Sequence, residues 1–382
     1  MPHLLQTRLL PFALAACLML AVAGRPHIAA QAWNTRQHIT LTSQGPAWVI
    51  FPSPVAGGIR SISMVSSNDG WATTGNEILH WDGTAWTARP NPLQGYALGA
   101  VSMASTDEGW ITANGWRIAT TLHWDGQAWS RVDAGIPSYM VSLSAVDALS
   151  SGTAWAVGGF PEETACHLLA WNGTTWYDQP YSGPTWCIEM DRVDMLSATD
   201  GWITGMDSTP PRAGRTSSTL TGRFTKALHA TDSLGTFYLH WNGYNWQEVA
   251  GAPIGYAGAL DMVSHTDGWA AGTLGPFTRW DGTTWNLFSN PTTWQIADFS
   301  MLSPADGWAV GANGTLLHWD EADWTLMPSP TSEYLYDVEM LSVTEGWAVG
   351  EHGTILHYGY HTYLPEITYN ASRRLFAGGL AR

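Results

Sequence analysis

Apolar and polar residues alternate through short stretches that return about every 40 positions. In Leu335-Tyr336-Asp337-Val338-Glu339-Met340 the period is two, the pattern of a half-buried β-strand. A methionine stands seven residues before a tryptophan in six units: Met64, Met103, Met195, Met262, Met301 and Met340. A polar turn follows, then a second strand such as Trp308-Ala309-Val310-Gly311. Next come a turn such as Ala312-Asn313-Gly314 and a third strand, Thr315-Leu316-Leu317-His318-Trp319. In most units a tight turn then leads into a fourth strand opened by another Trp.

Two short signatures mark the units. The first is an acid, Gly and Trp: Asp69-Gly70-Trp71, Glu108-Gly109-Trp110, Asp200-Gly201-Trp202, Asp267-Gly268-Trp269, Asp306-Gly307-Trp308 and Glu345-Gly346-Trp347. Thr153-Ala154-Trp155 is a degraded seventh copy. The second is Trp-(Asp/Asn)-Gly-x-x-Trp, as in Trp81-Asp82-Gly83…Trp86 and Trp280-Asp281-Gly282…Trp285. Asp-Gly and Asn-Gly suit a two-residue type I′ hairpin turn. Such a turn pairs Trp81 with Thr84 and Leu79 with Trp86. Trp319-Asp320-Glu321-Ala322-Asp323-Trp324 keeps the spacing but lacks the Gly, so a different turn is expected there.

Four antiparallel strands per repeat predict an all-β fold, a seven-bladed β-propeller of four-stranded blades, with eight blades as the competing count. Of the 24 Trp, 20 fall on three repeat positions, where large rings suit the space between neighbouring blades. Trp48 stands in hairpin register 38 residues before Trp86. Residues near 38–52 are therefore expected to complete the last blade and remove an exposed sheet edge. Tyr363 fits the same outer-strand register, so either end of the chain can supply that strand.

The propeller is assigned to residues 33–364, with a tail at 365–382. Residues 1–32 read as a secretory signal peptide: Arg8, the apolar run Leu9–Ala23, and small residues at Ala21-Val22-Ala23 or Ala30-Gln31-Ala32. A single N-terminal membrane anchor and a lipoprotein box ending at Cys17 are the alternatives. No later segment is long and apolar enough to span a membrane. The expected location is extracytoplasmic, in a bacterium, as a monomer. The formal charge is −16; removal of Arg8 and Arg25 leaves 14 cations against 32 acids, or −18. That surface repels nucleic acid and anionic lipid. In an oxidising compartment Cys166 and Cys187 are disulfide candidates, with two free thiols as the alternative.

Gly307-Trp308-Ala309-Val310-Gly311, Gly346-Trp347-Ala348-Val349-Gly350 and the hairpin that follows resemble the blades of the photosystem II assembly and stability factor family. They also resemble the wider Asp-box, or bacterial neuraminidase repeat, class, although the Ser-x-Asp-x-Gly-x-Thr-Trp core is replaced here by Trp-Asp-Gly-x-x-Trp. The likeness spans about residues 45–363. The first resemblance implies an assembly or scaffold factor that docks through a basic surface. The second implies a sialidase-like hydrolase.

Chemistry is sparse. The inner strands offer Arg60 and Arg192 with Glu189, Asp191, Asp194, Asp261, Asp298, Asp337 and Glu339. Of these, Asp194, Asp261, Asp298 and Glu339 are candidate binding residues in a hydrated channel. A carboxylate pair for glycoside hydrolysis can be drawn from the set, but no motif names a catalytic residue. His80, His123, His240, His318 and His357 occupy one repeat position on different blades, too far apart to share a metal ion. No metal or cofactor is expected. An insertion in the fourth unit, about Asp207–Thr236, carries Arg212, Arg215, Arg223 and Lys226 without a carboxylate between Thr209 and Thr231. This basic loop on an acidic protein is a candidate docking element. The leading expectation is a non-catalytic, exported propeller that binds a protein or glycan; the alternative is a sialidase-like glycoside hydrolase acting on extracellular glycans.

Overall fold

The computed structural model describes residues 45–116, 118–135, 142–150, 152–160, 165–207, 235–250, 257–272 and 276–361. Seven antiparallel sheets stand around one axis, and the eight-blade count is not realised. Blade 1 comprises Ile59–Ser66, Asp69–Thr74, Ile78–Trp81 and Trp86–Arg89, from the innermost strand outward. Blade 2 comprises Ala97–Ser105, Glu108–Gly115, Ile118–Trp124 and Trp129–Val132. Blade 3 comprises Ser142–Leu149, Thr153–Phe160, Ala165–Trp171 and Trp176–Asp178. Blade 4 comprises Cys187–Ser197, Asp200–Asp207, Gly235–Trp241 and Trp246–Glu248, with Tyr181–Ser182 added in parallel at its edge. Blade 5 comprises Ala257–Ser264, Asp267–Gly272, Phe277–Trp280 and Trp285–Phe288. Blade 6 comprises Ile296–Ser303, Asp306–Gly311, Thr315–Trp319 and Trp324–Leu326.

Blade 7 is built from both ends of the repeat array. Leu335–Ser342, Glu345–Gly350 and Ile355–Gly359 supply three strands, and Ala47–Ile50 supplies the outermost, with Trp48 opposite Tyr358. Tyr363 lies outside the described residues. The indole of Trp48 is 7% exposed and packs against Trp308 of blade 6 and Tyr358 of blade 7, at 5.4 and 5.1 Å between ring centroids. Phe51 then wedges between Trp347 of blade 7 and Trp81 of blade 1, at 5.1 and 5.4 Å. The N-terminal strand therefore covers the last sheet edge and also fills the closing seam.

The tryptophans that follow Gly form a belt. Each touches the third-strand aromatic of the next blade: Trp71 with Trp124, Trp110 with Trp171, Trp202 with Trp280, all at 4.7 Å. The series continues through Trp269 with Trp319 at 4.9 Å, Trp308 with Tyr358 at 4.9 Å and Trp347 with Trp81 at 4.9 Å. Trp155 meets Trp241 at 5.2 Å, so all seven seams carry the contact. Offset and edge-on ring pairs of this kind add stabilisation beyond the area they bury.

The outer hairpins differ from the expected two-residue turn. Trp81 pairs with Trp86 and Leu79 with Ala88, so the loop has four residues. Its closure comes from a side chain. The Asp82 carboxylate accepts the Thr84 N–H, the Ala85 N–H and the Thr84 hydroxyl. These bonds, with the hydroxyl first, hold the Asp82 carboxyl down at about 2. Only the second loop residue needs a positive φ, as at Gly83 with φ 86°. The expectation of a different turn in blade 6 is also corrected. Trp319 pairs with Trp324, Asp320 accepts the Ala322 and Asp323 N–H groups, and Glu321 takes the glycine position with φ 73°.

Cys166 on the third strand of blade 3 is bonded to Cys187 at the start of blade 4, with the two Cα atoms 5.5 Å apart. The bridge closes a chain separation of 21 residues and ties two neighbouring blades at their seam. No helix among the described residues is long and apolar enough to cross a membrane.

Candidate functional site

The inner strands of all seven blades converge on a central channel of about 500 Å³ lined by Arg60, Arg192, Asp147, Asp194, Asp261, Asp298, Asp337 and Glu339 among others. Alternation decides which residues face it. On each inner strand, the side chain opposite the Gly-Trp indole of the second strand points toward the neighbouring blade. This position holds Ser63, Ser102, Asp147, Asp194, Asp261, Ser300 and Glu339.

Six of these seven side chains accept a backbone N–H from the inner strand of the next blade. Ser63 accepts from Met103 at 3.1 Å, Ser102 from Ala148 at 3.0 Å and Asp147 from Met195 at 2.7 Å. Asp194 accepts from Met262, Asp261 from Met301 and Ser300 from Met340. Glu339 is the exception. At its seam Asp337, two residues earlier, accepts the Ile62 N–H of blade 1 at 2.9 Å, and Asp298 likewise accepts from Val338 at 3.2 Å. Asp194, Asp261 and Asp298 thus act as mortar between blades, satisfying inner-strand N–H groups that no strand pairing reaches. Glu339 lines the channel without such a bond.

The acids crowd one another. Burial pushes the Asp147 carboxyl up to about 6 and that of Asp261 up to about 7, against the N–H bonds that favour the anion. Burial, and then the charges of Asp261 and Asp147, raise Asp194 well above the usual carboxylate range. Burial and the neighbouring Asp337 do the same to Asp298 and Glu339. The Asp337 carboxyl, beside that of Asp298, adds to the burial that raises it. Arg192 donates to the carbonyls of Asp191 and Ala297 near this pair.

The repeated histidines find a use inside their own blades. His80 Nε2 lies 2.9 Å from Asp69, His123 3.0 Å from Glu108, His240 2.9 Å from Asp200 and His318 2.9 Å from Asp306. In each case the acid is the one that precedes Gly-Trp, and the imidazole lies against that Trp, 4.4–4.8 Å away. Blade 5 substitutes a bidentate Arg279–Asp267 pair. The acid of the Gly-Trp signature is therefore half of a cross-strand clamp, a pairing the repeat spacing alone does not reveal.

A second feature was not legible as a site. Trp116, Trp186 and Trp294 stand off the three repeat positions, and all three are exposed, by 87%, 50% and 49%. Trp116 lies between the second and third strands of blade 2, and Trp186 and Trp294 just before the first strands of blades 4 and 6. In an antiparallel meander those two kinds of connection emerge on one face of the ring. The ends of the fourth-unit insertion, Asp207 and Gly235, pair on the same face. Arg212, Arg215, Arg223 and Lys226 themselves lie outside the described residues.

No protein-family model matches the chain, and no curated protein matches it. Solved structures do. One described as YCF48 bound to a D1 peptide aligns with a TM-score of 0.60 over 82% of this chain and 97% of that chain, at 19% identity. YCF48 from Cyanidioschyzon merolae aligns with a TM-score of 0.56 over 82% and 99%, at 17% identity. The virginiamycin B lyase from Staphylococcus aureus reaches 0.60 over 82% and 99%, at 11% identity. The likeness to the photosystem II assembly factor YCF48 extends from the Gly-Trp-Ala-Val-Gly blades to the whole fold. A lyase shares that scaffold, so the fold does not choose between binding and catalysis.

Proposed function

We propose that this protein is an exported propeller whose loop face binds a protein partner. The observation that carries the reading is the set of off-repeat tryptophans, Trp116, Trp186 and Trp294, exposed on one face near blades 2, 4 and 6. The described Trp on the repeat positions are used in packing between or within blades, and exposed aromatic anchors are the side chains that dominate protein interfaces. A solved relative of the same fold is described as bound to a peptide, which fits a recognition role. Asp207 and Gly235 lie on this face, and the sequence between them carries cations suited to an acidic partner. Export is supported by the apolar run at Leu9–Ala23 and by the Cys166–Cys187 bridge, a bond suited to an oxidising compartment.

The hydrolase alternative is weaker on geometry. Asp194, Asp261 and Asp298 hold backbone N–H groups of adjoining blades, and a substrate would have to displace those bonds to use them.

The test is capture from the extracellular fraction of the source cells by immobilised mature protein. Retention of a partner bound by the wild type should fall at least about thirtyfold in the triple variant Trp116→Ala, Trp186→Ala, Trp294→Ala, one hot spot's worth. Its fold should be retained, with a melting temperature lowered by no more than a few degrees, because these rings are half or more exposed. Excision of residues 209–234 should weaken capture in a salt-dependent way. Equal capture by the triple variant would remove the loop face from consideration. Detection of unprocessed chain inside the cell would remove export.

A further inference from the structure

The seam between blades 1 and 2 carries a cavity. The deciding position is the third residue after the Trp that opens each outer strand. In blade 7 this is Phe51, set edge-on between Trp347 and Trp81. In blade 5 it is Phe288, set edge-on between Trp269 and Trp319 at 5.0 and 5.4 Å. Blades 2, 4 and 6 place Val132, Val249 and Met327 there, each packed into its seam's apolar cluster. Blade 3 has Gln179, and Tyr181 joins that seam's cluster together with the disulfide. Blade 1 has Arg89, which is exposed, and the cluster of this seam contains no side chain from that position.

What remains is a pocket of about 470 Å³ walled by the rings of Trp71, Trp124 and Trp129 and by Pro90 and Pro92. Arg89 is held at its edge. The Nε2–H of His80 donates to Asp69, so Nδ1 of the imidazole is left to accept from an Arg89 N–H at 2.9 Å. One of five guanidinium donors is used in that bond. No carboxylate among the described residues pairs with Arg89, and one oxygen of Asp69 is engaged by the His80 N–H.

We propose that this seam binds a small aromatic carboxylate. The ring would take the place that a phenyl group fills in blades 5 and 7, between two indoles. The carboxylate would meet the Arg89 guanidinium in the fork geometry that such pairs favour. A free aromatic acid and the C-terminal aromatic residue of a peptide present the same two groups.

The experiment is tryptophan-fluorescence and calorimetric titration of the full mature protein with 3-phenylpropionate, 3-phenylpropanol and hexanoate. The acid should bind with a Kd of roughly 0.1–1 mM, the range that its size allows. The alcohol and hexanoate should each bind at least about tenfold more weakly. Arg89→Gln should weaken the acid about tenfold and leave the alcohol unchanged. Arg89→Phe, which installs the plug of blades 5 and 7, should abolish binding and raise the melting temperature. N-acetyl-Gly-Gly-Phe, run beside 3-phenylpropionate, identifies the source by which of the two binds tighter. Absence of saturable binding by the wild type to either acid, or unchanged binding by a folded Arg89→Phe, overturns the proposal.

Discussion

Met301 and Gly307 face each other across the first hairpin of blade 6, and a Cβ on Gly307 would collide with the Met301 sulfur. The same pair recurs as Met64 with Gly70, Met103 with Gly109, Met195 with Gly201, Met262 with Gly268 and Met340 with Gly346. In blade 3 the pair is Ala148 with Ala154. The degraded copy has lost both halves together: a smaller partner admits a Cβ. The methionine and the glycine are one packing unit.

Gly307→Ala should therefore destabilise the protein by about 1–3 kcal/mol through overpacking. Adding Met301→Ala should cost less than the sum of the two single changes, since the pair then matches blade 3. Chemical denaturation of the two singles and the double decides it. Strict additivity would mean that the two residues do not share the space.

Trp48→Ala should cost about 3–5 kcal/mol, because the indole is buried between Trp308 and Tyr358 in the strand that closes the ring. The loss should lower the single global transition and not create a separate early one, since the latch holds blades 6, 7 and 1 together. Differential scanning calorimetry reads both. An unchanged melting temperature would deny the Ala47–Ile50 strand its role as latch.

The channel acids set the pH dependence. Their folded-state pKa values are raised, to about 6 for Asp147 and about 7 for Asp261. A group raised on folding contributes stability that is full below its unfolded value and is lost as pH rises through the folded one. His357, pushed down to about 4 by burial, acts in the opposite sense, but only below its ordinary value of 6.5. Between about pH 4 and 7 the melting temperature should therefore fall as pH rises, by roughly 2–4 °C per pH unit for each carboxyl forced to ionise beyond the one that His357 offsets. Asp261→Asn keeps a carbonyl oxygen for the Met301 N–H and should flatten the curve. A melting temperature that rises across this window would contradict the crowding of the acids.

Glu321 holds φ 73° in a loop position that is glycine in other blades, such as Gly83 and Gly282. Glu321→Gly should raise stability by about 0.5–1 kcal/mol, the left-handed penalty less the entropy of glycine. Gly282→Ala should destabilise. Urea midpoints of the two variants check the pair, and a neutral Glu321→Gly would show that the loop carries no strain there.

The sequence by itself determined the blade. Period-two alternation, the Gly-Trp signature and the 39-residue return are local patterns, and each strand's register follows from which side chains must be buried. They also placed Trp48 in the outer-strand register of the last blade. The hairpin loop misled because Asp-Gly suits a two-residue turn. Here the Asp82 carboxylate supplies a different closure, a matter of side-chain hydrogen bonds and not of residue type.

Only the tertiary structure decided what happens between blades. The bond from the Met262 N–H to Asp194 joins residues 68 apart in the chain, and the Met195 bond to Asp147 joins residues 48 apart. Elsewhere the same bond spans 40 residues, as from Met301 to Asp261, but the period does not say that the side chain turns to the next blade, so the same acids read from sequence as channel ligands. Exposure is equally non-local. Trp116, Trp186 and Trp294 are the same residue type as the buried belt. What separates them is that ring closure surrounds the repeat positions with neighbouring blades and leaves the off-repeat positions facing water.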